Sequence, residues 1–142
     1  MSAVSNANVK ALIEAIRATP LAASLTLHAA LGELTSYRVG GPAAALLRLE
    51  SPAHIDLLAS CVANAGVPIL NLGRGSNVLV SDRGFDGLVV MLGDQFAEIE
   101  VAGTSVTVGA AAKLPVVART TTQAGLSGFA WAVGVPGSVG GA

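Results

Sequence analysis

A chain of 142 residues, 52% hydrophobic and only 12% charged, is long enough for one domain or two small lobes and too apolar for disorder. A net charge of −1 excludes the electrostatic footprint of a nucleic-acid binder. The single cysteine, Cys61, excludes an internal disulfide and fits a reducing compartment. Residues 1–8 are small and polar, with neither a basic start nor an apolar run, so no secretory leader is read there. Val9, Leu12, Ile13 and Ile16 recur at helical spacing and predict a first helix over residues 6–18, ended by Pro20. Residues 22–34 read as irregular. His28 lies there without a second histidine, cysteine or carboxylate at ligand spacing, and no metal role is assigned to it.

Tyr37 and Arg38 place an aromatic ring and a cation just before a turn at Gly40-Gly41-Pro42; the plainer reading is a surface arginine and a half-buried tyrosine. Residues 43–49 read as a strand. Ser51 is a good N-cap and Pro52 a good first helical residue. Ile55, Leu58, Val62 and Ala65 then make one helical stripe closed by Gly66, with His54 exposed in the first turn and Cys61 a buried thiol. With residues 68–72 as the next strand, the order strand, helix, strand is a βαβ unit and predicts a parallel pair.

The following loop then sits at the C-terminal end of a strand, where open α/β sheets bind ligands. It reads Gly73-Arg74-Gly75-Ser76-Asn77, between residues 68–72 and 78–80, both taken as buried strands. Gly73 and Gly75 permit positive φ and close approach, and successive N–H groups in such a loop converge on an anion. Ser76 and Asn77 add hydrogen-bonding side chains, and Arg74 adds charge. A P-loop is excluded, since no Lys-Ser/Thr pair and no helix follow. The dinucleotide fingerprint G-x-G-x-x-G is excluded because position 78 is Val. A plain hairpin-like connection remains the alternative.

Residues 81–87 form a polar turn and 88–91 a strand; residues 96–102 and 105–109 alternate in period two about a Gly103-Thr104 turn. Asp82, Asp86, Glu98 and Glu100 read as solvated carboxylates. Gly109-Ala110-Ala111-Ala112 is small enough for close packing. Leu114, Val117, Ala118 and Thr121 mark a third helix stopped at Gly125. Residues 120–142 carry no charge, but their glycines and Pro136 make loop chemistry, not a membrane helix. Gly134-Val135-Pro136-Gly137-Ser138-Val139-Gly140-Gly141 is a second glycine-rich loop, in which Pro136-Gly137 turns and Ser138 begins a helix able to attract phosphate. Two such loops with no nearby lysine point to a ligand with two phosphates and a large flat body, a flavin or pyridine dinucleotide. The apolar ending Gly140-Gly141-Ala142 reads as a chain cut inside a larger protein.

The segments Tyr37-Arg38-Val39-Gly40-Gly41-Pro42-Ala43, Leu72-Gly73-Arg74-Gly75-Ser76-Asn77-Val78-Leu79-Val80, Gly125-Leu126-Ser127-Gly128 and the loop 134–142 resemble, in order and spacing, the UDP-N-acetylenolpyruvoylglucosamine reductase family. The resemblance covers residues 27–142. It implies an α/β FAD-binding fold of the p-cresol methylhydroxylase type. One lobe would span residues 1–92. A second, incomplete one would span residues 93–142, and the substrate-binding domain would be absent. It implies that Gly73, Arg74, Gly75, Ser76 and Asn77 wrap the FAD pyrophosphate. Gly134, Val135, Pro136, Gly137, Ser138, Gly140 and Gly141 would line the cofactor from the other lobe, with Tyr37, Arg38 and Gly109 nearby. Replacing Gly75 with Val is expected to lose FAD with modest loss of fold.

The family's reaction implies NADPH as hydride donor and UDP-N-acetylglucosamine enolpyruvate as small-molecule substrate, in cytoplasmic peptidoglycan synthesis, with no nucleic-acid or membrane partner. Its catalytic Arg, Ser and Glu lie beyond the counterpart of Ala142, so no catalytic residue is assigned and this chain alone is expected to be inactive. The absence of His and Cys from residues 71–82 implies non-covalent FAD. The alternatives are an FAD-binding module or fragment without catalysis, or another FAD-linked oxidoreductase of the same fold.

Overall fold

The computed structural model describes residues 6–142; residues 1–5, on which most of the leader reading falls, lie outside the described residues. In chain order the elements are α1 (Asn6–Arg17), β1 (Leu25–Ala30), β2 (Pro42–Leu49), α2 (Ile55–Val62), β3 (Ile69–Asn71) and β4 (Phe85–Leu92). These are followed by the strands β5 (Ile99–Ala102) and β6 (Ser105–Val108) and by α3 (Leu114–Gln123). The first four strands form one sheet in the order β1-β2-β4-β3, and β5 and β6 form a separate hairpin. β1 runs antiparallel to β2, while β2 and β3 both run parallel to β4.

Period-two alternation in β4 divides the apolar residues between the two faces of the sheet. Leu88 and Val90 join one cluster, with Leu12 and Ile16 of α1 and with Ala45, Leu47 and Leu49 of β2. Val89 faces the other way, with Leu31, Ala43 and Leu72. Ala43 and Ala45 are two apart in β2 and both buried, yet pack in different clusters; between them the β2–β4 register shifts, with one extra residue in β4. α1 buries Val9, Leu12 and Ile16, the face its spacing predicts.

Four expectations change. Residues 22–34 are not irregular: β1 lies among them, flanked by 3₁₀ turns at Pro20–Ser24 and Leu31–Leu34. Residues 78–80 form no strand. Since β3 and β4 are parallel, the chain between them must travel back along the sheet, and the hairpin-like alternative is excluded. Val78 and Val80 serve that return by packing on the second cluster. The βαβ strands are parallel but not neighbours, because β4 lies between them. The helix predicted from residue 52 opens as a 3₁₀ turn at Pro52–His54, with Ser51 capping through the Ala53 N–H, and its His54 and Cys61 are half-buried.

The hairpin turns at Gly103, at φ 60, the first of two turn residues, as a two-residue loop requires. α3 buries Leu114, Val117, Ala118 and Thr121, and Leu114 and Ala118 pack with Ala132 in a third cluster. No helix among the described residues is long and apolar enough to cross a membrane.

Leu47 is fully buried in a central strand. Leu47→Ala is expected to cost about 2–5 kcal/mol. Equilibrium urea unfolding should show a lower midpoint with an unchanged slope.

Candidate ligand cleft

The Leu72 N–H still donates to the Val90 carbonyl of β4, but residues 73–84 then leave the end of β3 and form no strand on their way back to β4. As a result the backbone N–H groups of residues 73–77 donate to no acceptor among the described residues. A loop without its own hydrogen bonds must be held from outside, and here the neighbouring backbone does it. Gly75 is buried at φ 61, and a Cβ there would run into the Leu34 carbonyl oxygen and lie 3.0 Å from Thr35 Cα. The Ser36 N–H donates to the Gly75 carbonyl at 2.9 Å, and buried Thr35 anchors its own turn by donating from Oγ1 to the Gly32 carbonyl at 3.3 Å. Further along, Gly41 N–H donates to the Ser81 carbonyl at 2.8 Å, fixing the return leg.

This revises the role of Gly75. The atoms it admits are those of the protein's own backbone, so Gly75→Val strikes the fold before any ligand, against the expectation of a modest loss. Gly73 differs: a Cβ there would meet only the Ser138 hydroxyl, at 2.9 Å.

The second loop arrives from α3 and the segment after it. Ser76 Oγ donates to the Pro136 carbonyl at 3.2 Å and joins the two glycine loops directly. Lys113 and Ser138 form an antiparallel bridge, flanked by Leu114 N–H to the Gly137 carbonyl at 3.3 Å and Val139 N–H to the Ala112 carbonyl at 3.0 Å. The phosphate-attracting helix expected at Ser138 is only a 3₁₀ turn, Val139–Gly141. The N–H groups of Gly140 and Gly141 already donate to Ala110 and Ser138 carbonyls. In the second loop the N–H groups of Val139, Gly140 and Gly141 are thus already used, while those of Gly137 and Ser138 donate to no acceptor among the described residues.

Between the two loops lies a cleft of about 720 Å³, at the C-terminal ends of β2, β3 and β4. Gly73, Arg74, Ser138, Gly140 and Gly141 line it, together with Ala110, next to Gly109. Gly75, Ser76 and Asn77 complete the first loop behind that wall, and Pro136 is tied to it through Ser76. Gly134, Val135 and Gly137 shape the second loop without lining the cleft. Gly109 is held against the Phe96 carbonyl oxygen, leaving no space for a Cβ. Tyr37 and Arg38 do not line the cleft: Tyr37 is 54% exposed and Arg38 sits at φ 57, on the turn that backs the Gly75 loop.

The charge of the cleft corrects one expectation. A lysine is present after all: Lys113 lines it, as Arg74 does. Neither cation has an ion-pair partner among the described residues, whereas Arg48 is paired with Glu50 at 2.9 Å. Asp94 is the acidic group lining the cleft, so the unpaired charge is net positive. The sequence hid Lys113 because it lies far along the chain from the glycine loop; the sole local sign was its place just before α3.

Residues 43–142 match the FAD binding domain family. The UDP-N-acetylenolpyruvoylglucosamine reductase of Azorhizobium caulinodans is 41% identical over 124 residues, covering 86% of this chain and 39% of that protein. That of Paramagnetospirillum magneticum is 43% identical over 120 residues, covering 83% and 38%. The crystal structure of the Thermus caldophilus UDP-N-acetylenolpyruvylglucosamine reductase superposes with a TM-score of 0.66 at 34% identity, covering 83% of this chain and 40% of that one. The chain thus spans about two-fifths of the length of these relatives.

Gly75→Ala is expected to destabilise the fold by about 2 kcal/mol or more, from left-handed backbone strain and the Leu34 clash. Gly134→Ala, where a Cβ meets nothing within 4 Å, should leave the thermal midpoint nearly unchanged. Differential scanning calorimetry of both variants without ligand is the measurement.

Proposed function

The chain belongs to the FAD-binding domain family, and from that we propose that it is the FAD-binding part of a UDP-N-acetylenolpyruvoylglucosamine reductase. Its fold is the α/β FAD-binding fold of the p-cresol methylhydroxylase type. The whole protein would be an oxidoreductase that uses NADPH to reduce UDP-N-acetylglucosamine enolpyruvate to UDP-N-acetylmuramate, in the cytoplasm, for peptidoglycan. When bound, FAD supplies the hydride-transfer chemistry; the protein positions it.

The observation that carries this reading is the free N–H groups of residues 73–77 in a loop clamped by Leu34 and Thr35. Backbone donors left unused in a clamped loop suit a phosphate, because they need little reordering when the anion arrives. The cleft volume lies in the range of cofactor pockets. In this reading Gly73, Arg74, Gly75, Ser76 and Asn77 hold the diphosphate. Ser138, Gly140 and Gly141 close on the cofactor from the other side, with the lobes meeting near Gly93. The sheet that ends at Leu92 and the hairpin that starts at Ile99 support that division. The segment 71–82 contains neither His nor Cys, so the flavin is held without a covalent bond.

Two measurements test the proposal. Protein loaded with FAD and precipitated with acid should release all of its flavin to the supernatant; flavin retained in the pellet would overturn non-covalent binding. NADPH consumption dependent on the enolpyruvyl substrate should be absent with the FAD-supplemented 142-residue chain and present with a longer form carrying the same sequence. Comparable turnover by the short chain would place the catalytic groups within residues 1–142 and sink the assignment.

A further inference from the structure

The two halves of the chain, before Gly93 and after Phe96, do not share an apolar core. The first two clusters draw on residues up to Phe96, and the third on residues from Leu114 onward. Among the described residues, one hydrogen bond runs from one half to the other: Ser76 Oγ to the Pro136 carbonyl at 3.2 Å, in an exposed position. Halves that meet without a common apolar core move relative to each other unless something holds them.

Phe96 belongs to both halves. Its side chain packs against the first cluster. Its carbonyl accepts the Ala111 N–H at 2.8 Å and lies against Gly109, where a Cβ has no room. The chain crosses between the halves through the short turn Asp94–Phe96, held to the sheet by the Gly93 N–H donating to the Leu49 carbonyl at 2.8 Å. The cleft is bounded by this crossing, through Asp94 and Ala97, and by the two glycine loops, through Gly73 and Ser138. The second loop is fastened to its own half: the Val139 and Gly140 N–H groups donate to the Ala112 and Ala110 carbonyls at 3.0 and 2.9 Å. We propose that the cleft is hinged: the second half swings about Phe96, and the Ser76–Pro136 hydrogen bond is the catch that closes the two glycine loops over a ligand. The motion belongs to the protein alone, so its test is separate from that of the FAD reading.

The test reads opening in the full chain without ligand. Ser138 is only 6% exposed, its hydroxyl lies against Gly73 of the facing loop, and its side chain caps nothing. A thiol at that position is therefore shielded from an aromatic disulfide reagent until the halves part. The reaction rate of Ser138→Cys is measured in a Cys61→Ala background, which removes the native thiol. Adding Ser76→Ala takes away the catch and is expected to speed the reaction roughly two- to twelvefold, the range spanned by one neutral hydrogen bond. Two controls accompany it. Ala118→Cys, in place of Ser138→Cys, puts the thiol in the third cluster, where Ala118 is 1% exposed; it reports unfolding of the second half and should react no faster with Ser76→Ala. Hydrogen exchange at the Ala111, Val139 and Gly140 amides should be unchanged by Ser76→Ala, because their bonds stay made while the halves part.

Faster reaction at position 138 with both controls unchanged upholds the hinge. An unchanged rate there overturns the catch. Faster reaction with lost protection at Val139 and Gly140 means that the loop peels from its own half, and overturns the hinge. Lost protection at Ala111 overturns Phe96 as the pivot. Equal acceleration at position 118 means that the second half unfolds, and overturns the proposal as a whole.

Discussion

Everything near the cleft depends on backbone meeting backbone without side chains between. At Gly75 the loop touches Leu34 and Thr35; at Gly41 and Gly84 the return leg touches the Asp82 and Pro42 carbonyls. A loop that keeps its N–H groups free forgoes the hydrogen bonds that ordinarily hold a loop in shape. It stays ordered because its carbonyl at Gly75 accepts from Ser36, its glycines lock against a fixed neighbour, and Val78 and Val80 are anchored in an apolar cluster. The order comes from contacts behind the loop, which leaves its front clear.

The two glycine-rich loops look alike in sequence and are opposite in chemistry. The first keeps its donors; the second uses those of Val139, Gly140 and Gly141 to hold itself to the segment 110–112 and to its own turn. Its glycines give closeness instead: a Cβ at Gly140 would lie 2.9 Å from the Ala110 Cβ. Ser76 reaching Pro136 then ties the first loop to the second, so the cleft has one wall held by its own backbone bonds and one wall braced against it.

Much of this was legible in the sequence. The stripe Val9, Leu12, Ile16 gave α1, and the alternation about Gly103 gave the hairpin, because each element obeys its own period. The glycine loop was legible for the same local reason. β1 was missed although Leu25, Leu27 and Ala29 do alternate: alanines and His28 weaken the pattern, and His28, at φ 52, breaks the pairing between Leu27 and Ala29. Residues 78–80 misled in the other direction, since Val-Leu-Val has strand composition but no free sheet edge to join. The position of β4 and the arrival of Lys113 in the cleft are long-range facts that no local period encodes.

The insertion of β4 between β2 and β3 also orders events in time. β3 has no neighbour, and β2 only β1, until β4 has been made, so the centre of the sheet stays open through synthesis of α2 and the glycine loop. Pairings of such high contact order form slowly, because the chain must first be closed over a long loop. The first glycine loop is then among the last parts of its half to take shape, and a nascent chain halted before Phe85 would expose the apolar flank of β2 to its surroundings.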